Sequence, residues 1–441
     1  MRRAPTRLTP GRLAAVPFLL AAAGLMLVGR AAEPPALPRI PDRTFVLTDY
    51  GAVGDGHTLN TAAFSRAIRA VDRVGGGRLV VPRGVFVTGP IRLCSRLDLH
   101  LDDGAVIAAP ESFAELGLPD PAGFANQAEA DRGFASPEPL ITGERLTDVA
   151  LSGPGAIDGR GAHWWAWSER AARNAAQAGH PGRISIRRPN LIVIHHCTRL
   201  HVTGVTLRNS PKFHLAARDI DDLTIDHVTV RAPWDGSAPN TDALDPGPGH
   251  NFWIHHCEID TGDDDIVIKS GGTGILIEDN VIRHGHGISI GSETTAGVDG
   301  MLVRRCTFEG TQTGLRIKSM RGAGGLVRNV RYEDITMRDV ERAFVVQLDY
   351  MDNNRPDFHG DPAKTPAVRD IVFERISVAN AREAGIIHGL PESEITGLVF
   401  RDVTLAAGRD FDIRHAAAPI FERVTRDIRP GTGPAPIPGE H

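Results

Sequence analysis

The sequence predicts an all-β chain wound as a single-stranded, right-handed parallel β-helix with a short N-terminal capping helix. Three observations predict it: a recurring short unit, a coil-length spacing between units, and the lack of helix-length segments between them. From about residue 190 the unit reads apolar-x-apolar-x-x-(apolar, Cys or Asn)-x-apolar. Examples are Leu200–Leu207, Leu223–Val230, Phe252–Ile259, Ile275–Ile282, Val330–Met337, Ile371–Val378 and Leu398–Leu405. A shortened copy begins at Leu302. Taking the sixth position as an anchor gives residues 205, 228, 257, 280, 306, 335, 376 and 403. Their spacings are 23, 29, 23, 26, 29, 41 and 27 residues. The long one holds the polar segment 352–364, expected to be a surface loop. Each unit reads as an alternating strand, a two-residue bend and a second short strand. Without intervening helices, leucine-rich and helical solenoids are excluded. A propeller blade would need about 40 residues and four strands. Coils stacked at about 4.8 Å remain.

The anchor column reads Val, Val, Cys, Asn, Cys, Ile, Ile, Val, an inward stack. Cys257 and Cys306 would lie two coils apart, about 9–10 Å, beyond disulfide reach. They read as buried thiols. Upstream, Asn60 is placed to cap a helix over 61–74, with Phe64, Ala67, Ile68, Val71 and Val74 on one face. Gly75-Gly76-Gly77 would end it. Such a helix covers the open end of the solenoid. Strands follow at 78–81, 84–87 and 97–101. The 48 glycines and 31 prolines suit a fold with many turns, and 5% aromatics predict an aliphatic core. Residues 111–140 read as a long loop-like insert, and 429–441 as a loose tail.

Residues 1–31 read as a secretory signal: Arg2, Arg3, Arg7 and Arg12 precede an apolar run ending at Gly29-Arg30-Ala31. The run is short for a membrane span, so an exported protein is expected, with one catalytic body over 32–428. Removing the segment takes five arginines and no acid, leaving 44 basic against 54 acidic side chains, net −10. So acidic a body excludes a general nucleic-acid binder. A polyanionic ligand would need a local basic cluster.

Polar groups cluster on four successive coils: Asn240-Thr241-Asp242, Asp263-Asp264-Asp265, Gly285-His286-Gly287 and Arg316-Ile317-Lys318. Asp263 and His286 both lie six residues past their anchors, so stacking puts them about 5 Å apart. Repulsion among the carboxylates should raise the pKa of one, leaving an acid beside an ionised base. That is what inverting glycoside hydrolysis requires. Arg316 and Lys318 alternate with Ile317, so both point outward and could hold a substrate carboxylate. His195-His196-Cys197 and His255-His256-Cys257 suggest zinc at first. They are expected at equivalent coil corners with the Cys packed inward, so no metal is expected.

These motifs, in this order and one per coil, resemble the polygalacturonases of glycoside hydrolase family 28. Val346-Gln347-Leu348-Asp349-Tyr350, Gly153–Gly159, Arg188-Pro189, Asn209-Ser210-Pro211 and Asp49–Gly56 extend the resemblance over about 45–405. The resemblance implies a pectin-lyase-like solenoid that cleaves α-1,4-galacturonosidic bonds with inversion and no cofactor. It implies Asp263 as general acid, Asp242 and Asp264 as the groups that activate water, and His286 as an assisting residue. It implies Asn240, Arg316, Lys318 and Tyr350 as substrate contacts, a pectic polysaccharide or galacturonate oligosaccharide as partner, and a monomer. Ala243 where the family has Gly, Lys212 with Ala216-Ala217, and Asp265 for Cys are departures that bear on subsites. The insert at 111–140 would favour exo action if it walls one end of the cleft. Rival readings are a rhamnogalacturonan or xylogalacturonan hydrolase, a Ca²⁺-dependent pectate lyase, and a non-catalytic carbohydrate-binding β-helix.

Overall fold

In each central coil of the computed structural model, three short strands follow one another, and each pairs in parallel with its counterpart one coil on. The structure describes residues 34–350, 361 and 364–435; the expected signal segment and most of the 352–364 loop lie outside them. The first column runs through Gly249–His255, Gly271–Glu278 and Gly297–Arg304. The second runs through Glu258–Thr261, Val281–His284 and Thr307–Glu309. The two-residue bend between them has a left-handed first residue, as at His256, Asp279 and Arg305. That conformation breaks the in-out alternation of a strand, so the next residue, the anchor, turns inward. Anchors 205, 228, 257, 280, 306, 335, 376 and 403 are all buried.

The repeat analysis missed the third column, which runs through Leu244–Pro246, Ile266–Ile268, Ile288–Ile290, Thr313–Lys318 and Arg342–Gln347. Ile266 pairs with Ile288, Ile288 with Leu315, and Leu315 with Phe344. These strands are short and preceded by loops of varying length, so no fixed sequence spacing marks them.

The core is aliphatic through the middle coils, as expected, but becomes aromatic towards the C-terminus. Tyr332, Phe373, Phe400 and Phe421 stack with centroids 5.1, 4.7 and 5.2 Å apart, the strand spacing itself. The four cysteines are free. Between Cys257 and Cys306, Asn280 accepts the Cys257 amide at 2.9 Å and donates to the Ile254 carbonyl at 3.1 Å. A buried amide in an apolar column is thereby satisfied.

The N-terminal helix, α1, spans Thr61–Arg73 and buries Ala63, Phe64, Ala67, Ile68 and Val71. Two details differ from expectation. Val74 is 46% exposed. Asn60 sits at the N-cap without a side-chain cap; it accepts from the Val53 amide and donates to the Val53, Thr58 and Val87 carbonyls. It therefore fastens the preceding loop to the first coil. The strands follow at Gly77–Val81, Gly84–Val87 and Leu97–Leu101.

The insert at 111–140 is not a bare loop. It carries α2 (Gln127–Gly133), whose Asn126 side chain caps the Glu129 amide at 3.0 Å. Phe134, Trp164 and Ile186 form a second small core with Phe113, Leu116, Leu118 and Phe124 around it. Trp164 belongs to α3 (Ala162–Trp165), and α4 (Glu169–Gln177) follows. Among the described residues the last strand is Thr425–Ile428. Beyond it, the Arg429 amide bonds the Ala407 carbonyl and Arg382 bonds the Pro434 carbonyl, so this part of the tail is tied to the final coils.

Candidate active site

The turns that enter the third column carry the polar side chains. On successive coils they are the loop 232–243, the turn 262–265 and the turn 285–287. Backbone bonds lock the turns together. The His286 amide donates to the Asp263 carbonyl, and the amides of Ala243 and Leu244 to those of Asp264 and Asp265, at 2.9, 2.9 and 3.1 Å. The glycines of Gly-His-Gly are steric necessities. A Cβ on Gly285 would meet the Asp265 carboxylate at 2.5 Å, and one on Gly287 would meet the Gly314 carbonyl at 2.2 Å. Arg316 and Lys318 come from the third-column strand of the next coil, with Ile317 inward between them.

All eight expected site residues come together. His286 Nδ1 lies 3.1 Å from Asp263 Oδ1 and 3.9 Å from Asp264 Oδ1. Asn240 Nδ2 donates to Asp263 Oδ2 at 3.5 Å. Asp264 accepts from Ser289 Oγ at 2.9 Å, Arg316 Nη1 at 3.3 Å and Lys318 Nζ at 2.7 Å. The Tyr350 ring lies 5.4 Å from the Arg316 guanidinium carbon and 5.2 Å from Lys318 Nζ. Arg316 and Lys318 do point away from the core, but they are buried and directed at Asp264.

Sequence reasoning missed Lys269. Its Nζ lies 3.2 Å from Asp242 Oδ2 and 3.9 Å from Asp264 Oδ2, and 5.1 Å from the Phe213 ring. The strand register places it: Ile268 pairs with Ile290, and Ile290 with Ile317. Lys269 and Lys318 therefore share one column, two coils apart. Arg188 supports the neighbouring loop. It donates to Asn240 Oδ1 at 2.7 Å and to the Pro211 and Pro239 carbonyls at 2.9 and 2.6 Å, fixing the loop that delivers Asn240 and Asp242. Asp245 and Asp265 are also buried; Asp265 accepts from the Gly287 amide at 2.8 Å.

The carboxyls differ sharply in proton affinity. Burial, then the Asp263 charge, pushes Asp242 up to about 7 despite Lys269. Burial also raises Asp245 and Asp265 well above the usual carboxylate range. Asp264 is likewise desolvated, but Lys318, Arg316 and Lys269 together outweigh the burial and lower it. Asp263 is lowered against its burial by the His286 charge and hydrogen bond, then by Lys318. Burial does more than the repulsion that the clustering predicts to set Asp242 apart, with the Asp263 charge second. Among Asp242, Asp263 and Asp264, the carboxyl that keeps its proton near neutrality is Asp242.

Asp263, Asp264 and His286 present ligand atoms within 4.8 Å of one another. Lys269, Arg316 and Lys318 already compensate those carboxylates and would repel a cation. Among the described residues no helix is long and apolar enough to cross a membrane.

The glycosyl hydrolases family 28 model matches residues 81–418, which span this whole arrangement. The chain belongs to family 28 and is a glycoside hydrolase. It is 31% identical over 379 residues to a probable polygalacturonase of Vitis vinifera, covering 81% of this chain and 73% of that one. It is 29% identical over 374 residues to an endo-polygalacturonase of Pectobacterium carotovorum, covering 81% and 87%. Among solved structures, an exopolygalacturonase from Thermotoga maritima superposes with a TM-score of 0.75 at 26% identity, covering 89% and 94%. An endo-polygalacturonase and an exopolygalacturonase thus both match.

Proposed function

We propose that this cleft hydrolyses α-1,4-galacturonosidic bonds of pectic polygalacturonate with inversion of the anomeric centre. One observation carries the substrate choice. Arg316, Lys318 and Tyr350 sit beside three carboxyls in a protein whose overall charge is negative. A galacturonate carboxylate is the ligand that such a local cationic patch selects.

In this reading Asp263 protonates the leaving oxygen, ionised Asp264 activates the water, and Asp242 helps to hold it. The lowered proton affinity of Asp263 needs an account. The His286 charge and hydrogen bond cause it, then Lys318. A substrate carboxylate placed against Arg316 and Lys318 would neutralise the lysine's share of that field and raise Asp263. Acid strength would then be matched to the task only when the anionic sugar is in place. Asn240, held by Arg188, steers Asp263, and His286 carries the other side of the same carboxyl.

Exo action is supported by the insert. A cavity of about 780 Å³ runs from Gln127 and Phe134 on the insert to Lys212, Phe213 and Asn240 at the site. Arg132, Arg187, Arg188 and Lys212 give it a basic lining against Asp131 and Glu169. Such a pocket suits a terminal uronate. We also propose that residues 1–31 direct export and that 32–428 act as one monomeric catalytic body. The sequence charge pattern of the leader and the single run of coils support this.

The test is a polygalacturonate digest by the wild type and by Asp263→Asn. The variant should lose about 10²–10⁴-fold in kcat with little change in KM, and early wild-type products should be monogalacturonate. Turnover surviving Asp263→Asn would remove the acid assignment. Mixed-length oligomers at early times would remove exo action alone.

A further inference from the structure

A second side-chain cluster, which the cleft chemistry does not use, lies on two consecutive coils near the start of the main solenoid. Glu144, His195 and His196 present ligand atoms within 4.8 Å of one another. We propose that they form a surface site for a transition-metal ion of the zinc type, which braces these coils.

The backbone explains why two consecutive histidines face the same way. Ile194 and Cys197 both point into the core. His196 has φ 55°, with Arg145 and Asp219 at 54° and 53° in the same column of neighbouring coils. This left-handed bend suspends the strand's alternation, so both residues between Ile194 and Cys197 face outward. His195 pairs in register with Glu144 on one side and Arg218 on the other. The two His-His-Cys motifs therefore occupy different corners, not equivalent ones. Cys197 pairs with Ile220 within the strand, whereas Cys257 is an anchor. The third ligand is supplied by Glu144 of the adjacent coil and not by the buried cysteine.

The geometry fits a metal. His196 Nδ1 and Glu144 Oε1 are 3.2 Å apart, close to the edge of a tetrahedron with bonds near 2.0–2.1 Å, about 3.3 Å. The other nitrogen of His196 faces a carboxylate: Nε2 lies 3.6 Å from Asp219 Oδ2. A carboxylate behind a ligating imidazole fixes its tautomer and raises its basicity, the usual support of a protein metal ligand. Two imidazoles and a carboxylate suit zinc and exclude calcium or magnesium, which take oxygen ligands. One coordination position would stay with water, because the Glu144 and His196 side chains are about half exposed, 52% and 50%. Arg145 Nη1 lies 3.1 Å from Glu144 Oε1 and competes for it, but that side chain is 76% exposed and can leave.

The experiment is calorimetric titration of the full chain with Zn²⁺ alone at pH 7.5, in parallel with Ca²⁺. The wild type should bind one zinc saturably and no calcium. The double variant His195→Gln/His196→Asn should lose at least about tenfold in affinity, and Asp219→Asn about 10-fold. Asn tolerates the left-handed conformation, so the variant fold should persist; an unchanged far-ultraviolet spectrum and undiminished pectic turnover would verify it. Absence of saturable zinc binding overturns the proposal. So does zinc bound equally well by the double variant, which would put the ion elsewhere, for instance at Asp263, Asp264 and His286.

Discussion

Two stacks of charge run along this solenoid, built by the same register and differing in their access to water. One climbs the left-handed corner between the first and second strand columns. The residues just before successive anchors are His227, His256, Asp279, Arg305, Asp334, Arg375 and Asp402, and Arg423 holds the same position one coil on, all with φ near 50–56°. Arg305 bonds Asp279, Arg375 bonds Asp334 and Arg423 bonds Asp402, so the signs alternate from coil to coil. These arginines are 43–65% exposed. The other stack is the cleft, where Asp242, Asp264, Lys269, Arg316 and Lys318 are at most 14% exposed. In the first, water already solvates each charge and pairing adds about 0–1 kcal/mol. In the second, each charge depends on its partners, because losing one leaves a buried ion. The ladder orders the corner. The cleft stores differences in proton affinity that chemistry can use.

The sharpest break of this comparison is between two carboxyls of the cleft itself. Asp264→Asn leaves Arg316 and Lys318 with a neutral partner and should cost about 3–5 kcal/mol, together with activity. The stability that Asp264 gives is present above its unfolded pKa of about 3.9 and is lost as pH falls towards its lower folded value. Asp242 has the opposite sign. Its folded pKa of about 7 exceeds the unfolded value, so the folded chain binds a proton that the unfolded chain releases. Stability from this group falls as pH rises from about 4 to about 7. Asp242→Asn should abolish activity yet raise Tm relative to the wild type at pH 8, with the gain vanishing near pH 4. Thermal melts of both variants across pH 4–8 check this. Equal destabilisation of the two at pH 8 would refute the contrast.

The smallest effect is expected on the ladder. Arg305→Asn keeps the left-handed backbone and removes two ion pairs, with Asp279 and Glu278. It should change stability by no more than about 1 kcal/mol, and the difference should shrink in 1 M salt. A urea titration at low and high salt measures it.

Much of this was legible in the sequence, for definite reasons. The anchor column and the α1 face follow from apolar spacing alone, because burial imposes it. The cleft motifs were legible because Gly285 and Gly287 are forced by close backbone approach and fall at fixed offsets from anchors. The third strand column was not legible, since variable loops break its spacing. Lys269 was hidden with it. The charge ladder could have been read from position 227 onward, one residue before each anchor, had the bend been assigned its left-handed conformation. The fold of the insert depends on contacts between Phe134 and Trp164, thirty residues apart, which no periodicity announces. The proton on Asp242 depends on burial by neighbouring coils and on the Asp263 charge, which local sequence does not carry.

The most direct test of the central claim is time-resolved proton NMR of trigalacturonate digestion with EDTA present. Inverting hydrolysis by this cleft predicts β-anomeric reducing ends first, before mutarotation, and no unsaturated ends. Initial α-anomers, or unsaturated ends that appear only when calcium is restored, would contradict it.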